Sequence, residues 1–232
     1  MTELLQQCHV ADKDLSRYVG WYMSEKLDGH RAFWDGGLTR GMRKVDVPWA
    51  NTVKDNVNDK LALSTGLWSR YGNVVHAPKD WIAKLPTGIM LDGELWAGYE
   101  HRQNLAIKGH YPSFSGVTYR VYDTLPVNTF AAVRTYRCTG YKVQTSPWPS
   151  GLSLRDSPIT GMMGQHERYR WLLDNLAVND TCILHPHYRI ESLEHVNDEL
   201  SRLLALGAEG LVLKGNRPYV CDRSKACLKL KP

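Results

Sequence analysis

The chain has 232 residues, 43% of them hydrophobic, which is enough to bury a sizeable core in one large domain or two small ones. Its net charge of +5 and pI near 8.9 fit a polyanionic partner without requiring one. No segment is long and apolar enough to span a membrane, and residues 1–14 are polar, without the apolar stretch of a secretory signal.

The basic residues are interleaved with Trp and Tyr and form no tail, so a nucleic-acid surface would be a folded face. The five cysteines, Cys8, Cys138, Cys182, Cys221 and Cys227, are irregularly spaced. They form no CxxC pair and no zinc pattern with the nine histidines. They read as free thiols of a reducing compartment.

In chain order, residues 21–25 read as a strand leading into Lys26-Leu27-Asp28-Gly29-His30-Arg31. Residues 31–34 read as a return strand, which would set Lys26 at the mouth of a hairpin. The hexapeptide combines an amine nucleophile, a carboxylate, a turn and a phosphate-sized cation. Asp28 can orient the amine or hold a metal, and Gly29 lets the backbone turn where a side chain would block a nucleotide. Gly36-Gly37 marks the next turn.

Residues 38–66 are polar and mixed in charge, and read as a solvated surface excursion. Arg40, Arg43, Lys44, Lys54 and Lys60 would allow it a contact with DNA. Ser69-Arg70-Tyr71-Gly72 follows. Residues 80–85 make a helical turn ended by Pro86. Residues 88–96 read as a buried strand carrying Leu91-Asp92-Gly93-Glu94-Leu95-Trp96, and residues 118–123 alternate as a strand through Tyr119-Arg120-Val121-Tyr122-Asp123.

Residues 139–164, rich in Pro, Gly, Ser and Thr, read as a long loop. A helical stripe follows at Tyr169, Leu172, Leu173 and Leu176. Residues 182–190 read as one strand. On it His185 and His187 would share a face, a spacing more often surface polarity than a metal pair. Ser192 caps a helix with its stripe at Leu193, Val196, Leu200, Leu203 and Leu204, and Gly207 ends it. Residues 209–214 form a strand, and Lys229 and Lys231 alternate, facing one way if the last segment is extended. Strands and helices mix without a βαβ repeat, which predicts an α+β fold with largely antiparallel sheets.

Five segments stand in a telling order: the hexapeptide at 26–31, then 91–96, 119–123, Glu209-Gly210-Leu211-Val212-Leu213-Lys214, and Leu228-Lys229-Leu230-Lys231-Pro232. The set resembles the collinear motifs I, III, IIIa, IV and V of the covalent nucleotidyltransferases, and among them the ATP-dependent DNA ligases. It runs from about Ser24 to the end. Arg31-Ala32-Phe33-Trp34-Asp35-Gly36 and Leu95-Trp96-Ala97-Gly98 are similar to stretches of the small bacterial and phage ligases.

The resemblance implies two largely antiparallel sheets with flanking helices around a nucleotide cleft, the ATP-grasp-like nucleotidyltransferase domain. It makes residues 1–232 one adenylation domain, with 38–66 as an insertion that delays the Ser-Arg-x-Gly element. The C-terminal OB-fold of the ligases, with its sixth, basic motif, is absent from this chain.

The same resemblance implies that Lys26 is the covalent nucleophile, with Asp28, Lys229 and Lys231 as catalytic partners. Glu25, Arg31, Arg70, Glu94, Tyr122, Val212 and Lys214 would bind the nucleotide. Of these, Tyr122 would stack on adenine, Val212 would close its other face and Glu94 would receive the ribose hydroxyls. Glu209, with Glu94, would hold magnesium or manganese. The implied substrates are ATP, carried as AMP on Lys26, and nicked duplex DNA in replication, repair or recombination. The implied protein is a monomer of the cytoplasm, or of the host cytoplasm if phage-encoded. The alternatives are an RNA ligase, an mRNA-capping guanylyltransferase, or a catalytically idle nucleic-acid-binding module.

Overall fold

The computed structural model describes residues 4–100, 113–125 and 163–232. The strands are β1 Gln7–Val10, β2 Tyr22–Glu25, β3 His30–Trp34, β4 Leu67–Ser69, β5 Met90–Trp96, β6 Thr118–Leu125, β7 Cys182–Leu184, β8 Tyr188–Arg189, β9 Leu211–Lys214 and β10 Arg223–Leu230. The α-helices are α1 Val57–Leu61, α2 Lys79–Ala83, α3 Gln165–Asn175 and α4 Leu193–Ala205. The strands form two five-stranded sheets, ordered β1-β10-β9-β2-β8 and β4-β3-β5-β6-β7. Every pairing is antiparallel except β1 with β10 and β6 with β7. This is the expected α+β class.

The hairpin expected around Lys26 does not form. β2 pairs with β9 and β8, whereas β3 pairs with β4 and β5. Residues 26–29 therefore cross from one sheet to the other. Gly29 makes the crossing possible: a Cβ there would stand 2.4 Å from the Leu95 carbonyl oxygen and 2.8 Å from Glu94 Cγ. The glycine is required by β5 passing beside it.

The strand expected over 182–190 is also two strands, β7 in the second sheet and β8 in the first. His185-Pro186-His187 makes the crossing, with Pro186 lacking a ladder donor. His185 Nε2 lies 2.9 Å from the Glu25 carbonyl oxygen, and the His187 ring stacks on Tyr169 at 4.1 Å. Burial pushes the His185 imidazole down to about 4 and that of His187 well below its ordinary value. The two rings meet at 89° as neutral packing groups of the seam.

Each sheet has its own core. The second packs Trp34, Leu91, Leu95, Tyr119 and Val121 beneath α2 and α3. The first packs Met23, Leu211, Leu213 and Leu228 against Val196 and Leu203 of α4. Ser192 Oγ accepts the His195 N–H at 3.0 Å, the expected cap, and Gly207 ends the helix at φ +88°. The helical stripes are narrower than expected, since Leu173 and Leu193 are exposed.

Residues 38–66 are not a simple solvated excursion. Leu38, Val47 and Trp49 are buried with Leu4, Leu5, Phe33 and Trp68 in a third core. The Trp49 ring meets Phe33 at 6.1 Å and Trp68 at 6.2 Å, both edge-on. Lys44 is buried and paired with Asp55 at 2.7 Å, and Arg43 is paired with Asp46. Of the five basic residues, Arg40 and Lys54 remain exposed without such a pair.

The reading of five free thiols also fails: Cys8 of β1 and Cys227 of β10 are joined as a disulfide. Cys182 and Cys221 are buried and take no part in a disulfide, and Cys138 lies outside the described residues, as does the loop expected over 139–164 up to residue 162.

If Trp49 ties 38–66 into the fold, Trp49→Ala should cost about 3–5 kcal/mol in chemical denaturation. A solvated excursion would instead leave stability within about 0.5 kcal/mol of the parent.

Candidate active site

A cleft of about 350 Å³ opens between the two sheets. The first sheet lines it with Glu25 and Lys26 at the end of β2, Val212 and Lys214 of β9, Lys229 of β10, and Lys231 just beyond. The second sheet supplies Arg31 of β3, Glu94 of β5 and Tyr122 of β6, with Arg70 just after β4. Glu209 enters from the loop before β9. The structure thus brings together every residue expected to act in catalysis, nucleotide binding or metal binding except Asp28, which is exposed on the crossing and does not line the cleft.

At one side, the Nζ atoms of Lys26 and Lys231 donate to the two different carboxylate oxygens of Glu209. Burial works to raise the Glu209 carboxyl, but the bonds from Lys231 and Lys26 hold it below its ordinary value. The Lys26 N–H donates to the Gly210 carbonyl at 2.8 Å, fixing the start of the crossing to the β9 loop. Gly210 has φ +140°, and a Cβ there would lie 2.2 Å from the Leu230 carbonyl oxygen. That close approach keeps the loop carrying Glu209 against the strand that leads to Lys231.

On the opposite side, Arg31 places Nε and one Nη on Asp92 at 3.0 and 2.6 Å, and its other Nη on the Gln6 carbonyl. Asp92 also accepts from the Tyr219 hydroxyl at 2.7 Å. The Arg31 guanidinium sits 5.7 Å from the Tyr122 ring centre. Glu94 accepts from the Tyr122 hydroxyl at 3.4 Å. Burial pushes the Glu94 carboxyl up to about 7 against the pull of Arg31 and Lys26.

The floor is ionic too. Lys214 Nζ donates to the Tyr122 carbonyl at 3.1 Å, lies 3.8 Å from Asp123, and sits 4.8 Å from the Tyr122 ring centre. Burial pushes Lys214 down to about 8. Asp123 takes a two-pronged bond from Arg168 of α3 at 2.7 and 2.9 Å. Glu25 accepts from the Tyr99 hydroxyl at 3.3 Å, and burial raises its carboxyl.

Sequence reasoning passed over Asp92, Asp123, Arg168 and Tyr219, which hold the lining residues in place, and Arg223, whose Nη2 reaches Gln7 Oε1 at 3.3 Å at the cleft wall. Asp92 and Asp123 lay inside quoted motifs, so strand alternation with Glu94 could have flagged Asp92. Nothing local could have paired Asp123 with an arginine 45 residues away.

Metal fit follows from donor chemistry. Among the described residues no three His, Cys, Asp or Glu side chains form a cluster that could hold an ion. Glu94 and Glu209 offer oxygen only, which fits a hard cation that keeps several waters and does not fit zinc.

No family model matches the chain, and no curated protein matches its sequence. Solved structures do match its shape. Against a structure of the Lig E DNA ligases the TM-score is 0.62, with 20% identity over 100% of this chain and 70% of that one. The chain has the fold of the ATP-dependent DNA ligases. The Chlorella virus DNA ligase-adenylate matches at TM-score 0.55 and 13% identity, over 99% of this chain and 67% of the virus enzyme. The bacteriophage T7 ATP-dependent DNA ligase in complex with ATP matches at 0.55 and 11%, over 98% and 68%. The chain spans 46% of the two matching Pmar-Lig chains. At these identities it is the ligase fold that is shared.

Glu94 provides a test of the site's electrostatics. Its folded value near 7 lies above the usual 4.5, so within that window the folded chain holds a proton that the unfolded chain releases. Stability from this group is full below that window and is lost as pH rises through about 7. Glu94→Gln should therefore match the parent at pH 4 and exceed it at pH 8 by on the order of 1–3 kcal/mol, read from melting curves across pH. A constant difference across pH would contradict the placement.

Proposed function

We propose that the chain is the nucleotidyl-transfer domain of an ATP-dependent DNA ligase, with Lys26 as the covalent nucleophile. The observation that carries this reading is the sharing of Glu209 by Lys26 and Lys231 at a cleft between two sheets of the ligase fold.

Adenine enters between Tyr122 and Val212, which come from opposite sheets, with Glu25 at its edge. Glu94 receives the ribose hydroxyls. Its raised value makes it able to donate as well as accept near neutral pH. Arg31 is held by Asp92 and Gln6, so it presents a preorganised cation to ribose or phosphate. Lys26 Nζ attacks the α-phosphorus in line with the departing pyrophosphate and loses a proton. Glu209, already bonded to that amine, orients it toward the phosphate. Lys229 and Lys231 neutralise charge on the α-phosphate. Glu209 and Glu94 would hold magnesium or manganese, which would supply further neutralisation of the phosphate oxygens.

AMP then passes from Lys26 to the 5′-phosphate of a nick, and the 3′-hydroxyl displaces it to close the strand. Duplex DNA is the polyanion expected at the mouth of the cleft. Arg40 and Lys54 are available to its backbone, whereas Lys44 is committed to Asp55. Asp28 lies outside the cleft and is given no step in this reaction.

The test is incubation with labelled ATP or GTP and magnesium. We expect label from ATP alone, on Lys26, through an acid-labile, alkali-stable phosphoramidate, and none in Lys26→Ala. Label from GTP would make the chain a capping-type guanylyltransferase. Sealing of a preadenylated RNA nick in preference to a DNA one would make it an RNA ligase. Absence of label together with failure to seal either nick would leave a binding module.

A further inference from the structure

Cys8 and Cys227 are 219 residues apart in sequence, yet their Cα atoms stand 4.6 Å apart on adjoining strands. Both line the same cleft as Lys229 and Lys231. Cys227 lies two residues before Lys229 on β10. Cys182 and Cys221, by contrast, are buried away from the cleft, and burial pushes the Cys182 thiol up to about 12.

β1 is a weak element to leave beside a site. It has four residues, sits at the sheet edge, and its parallel register to β10 slips between Cys8 and His9. It nevertheless carries part of the site. The Gln6 carbonyl just before it accepts from Arg31, and the Gln6 N–H donates to the Tyr219 hydroxyl, which in turn donates to Asp92. A shift of β1 would release one prong of Arg31 and unsettle the group that holds the other two.

We propose that Cys8 and Cys227 are a redox-controlled staple in the cleft wall, and that closing it holds the Arg31 side of the cleft in its nucleotide-binding form. The oxidant is a low-molecular-weight disulfide able to enter the cleft. The half-buried Cys8 thiolate attacks one sulfur of that disulfide, forming a mixed disulfide and expelling one thiolate. The Cys227 thiolate then attacks the Cys8 sulfur, closes the protein bond and expels the second. The two cysteines lose two electrons and two protons, and the small disulfide takes them up as two thiols. A small dithiol reverses the sequence.

The proposal rests on nucleotide binding in this cleft, so its experiment has readouts with and without nucleotide. The full chain is equilibrated with oxidised glutathione or with dithiothreitol, and thiols are counted after denaturation. Three are expected in the oxidised form and five in the reduced one, with Cys8 and Cys227 peptides joined in the first. Without nucleotide, reduction should lower the melting midpoint by about 5–10 °C, because the bond closes nearly the whole chain into a loop. With a fluorescent ATP analogue, reduction should weaken binding by about fivefold or more. Cys8→Ser and Cys227→Ser should bind like the reduced parent and ignore the redox state.

Five thiols in the oxidised form, or a redox response that persists in the serine variants, would overturn the proposal. Equal analogue affinity in both states would overturn the gating. Analogue binding in neither state would count against the nucleotide reading, while thiol count and melting would still decide the staple.

Discussion

Two buried arginine–carboxylate forks hold the cleft in shape. Arg31 grips Asp92 from β3 to β5, and Arg168 grips Asp123 from α3 to β6, at side-chain exposures of 17 and 1% and of 1 and 2%. Burying such charges is costly unless geometry and further hydrogen bonds repay it. Here they do. Tyr219 adds a third donor to Asp92, and the Met163 and Arg217 carbonyls take the remaining prong of Arg168. Removing one partner would leave an unpaired charge in the interior, so the forks stand or fall as pairs.

Burial sets the electrostatics of the groups that face the cleft, and the forks adjust it. Lys214 loses basicity through burial, with Asp123 and Asp92 opposing the loss and Arg168 and Arg31 adding to it. Glu94 gains a proton readily through burial although Arg31 and Lys26 pull the other way. Neither group would stand near neutrality on an open surface. The same interior that makes the arginines structural makes Glu94 and Lys214 responsive.

How much of this was legible in the sequence depended on whether the cause was local. The Ser192 cap, the Gly207 stop and the alternation through residues 118–123 are written in neighbouring residues, and all formed. The strand on each side of Lys26 was legible as well. Their partners were not, because the choice of β9 for β2 and β5 for β3 rests on contacts tens to hundreds of residues away. Trp49 escaped notice because one buried indole in a polar stretch has no period. The Cys8–Cys227 contact spans the chain, and no spacing rule reaches that far. The candidate site fared better. Its residues sit in short motifs, and strand parity sends alternate side chains to one face. Asp28 was the exception, exposed in the middle of the crossing between the sheets.

That crossing explains why a lysine from one sheet and the carboxylate it meets can respond to a ligand between them. Lys26 and Lys231 are two cations sharing one anion, so the cluster carries surplus positive charge and Glu209 is held ionised. In the proposed reaction a nucleotide phosphate brings new negative charge to the same ammonium groups. Each lysine can then trade a carboxylate oxygen for a phosphate oxygen without losing a counter-ion. Glu209, released from one or both lysines, is left as a bare carboxylate beside the phosphate, the condition under which a hard cation binds. Anion exchange at Lys26 and Lys231 would thus create the cation site in the same step that positions the nucleophile.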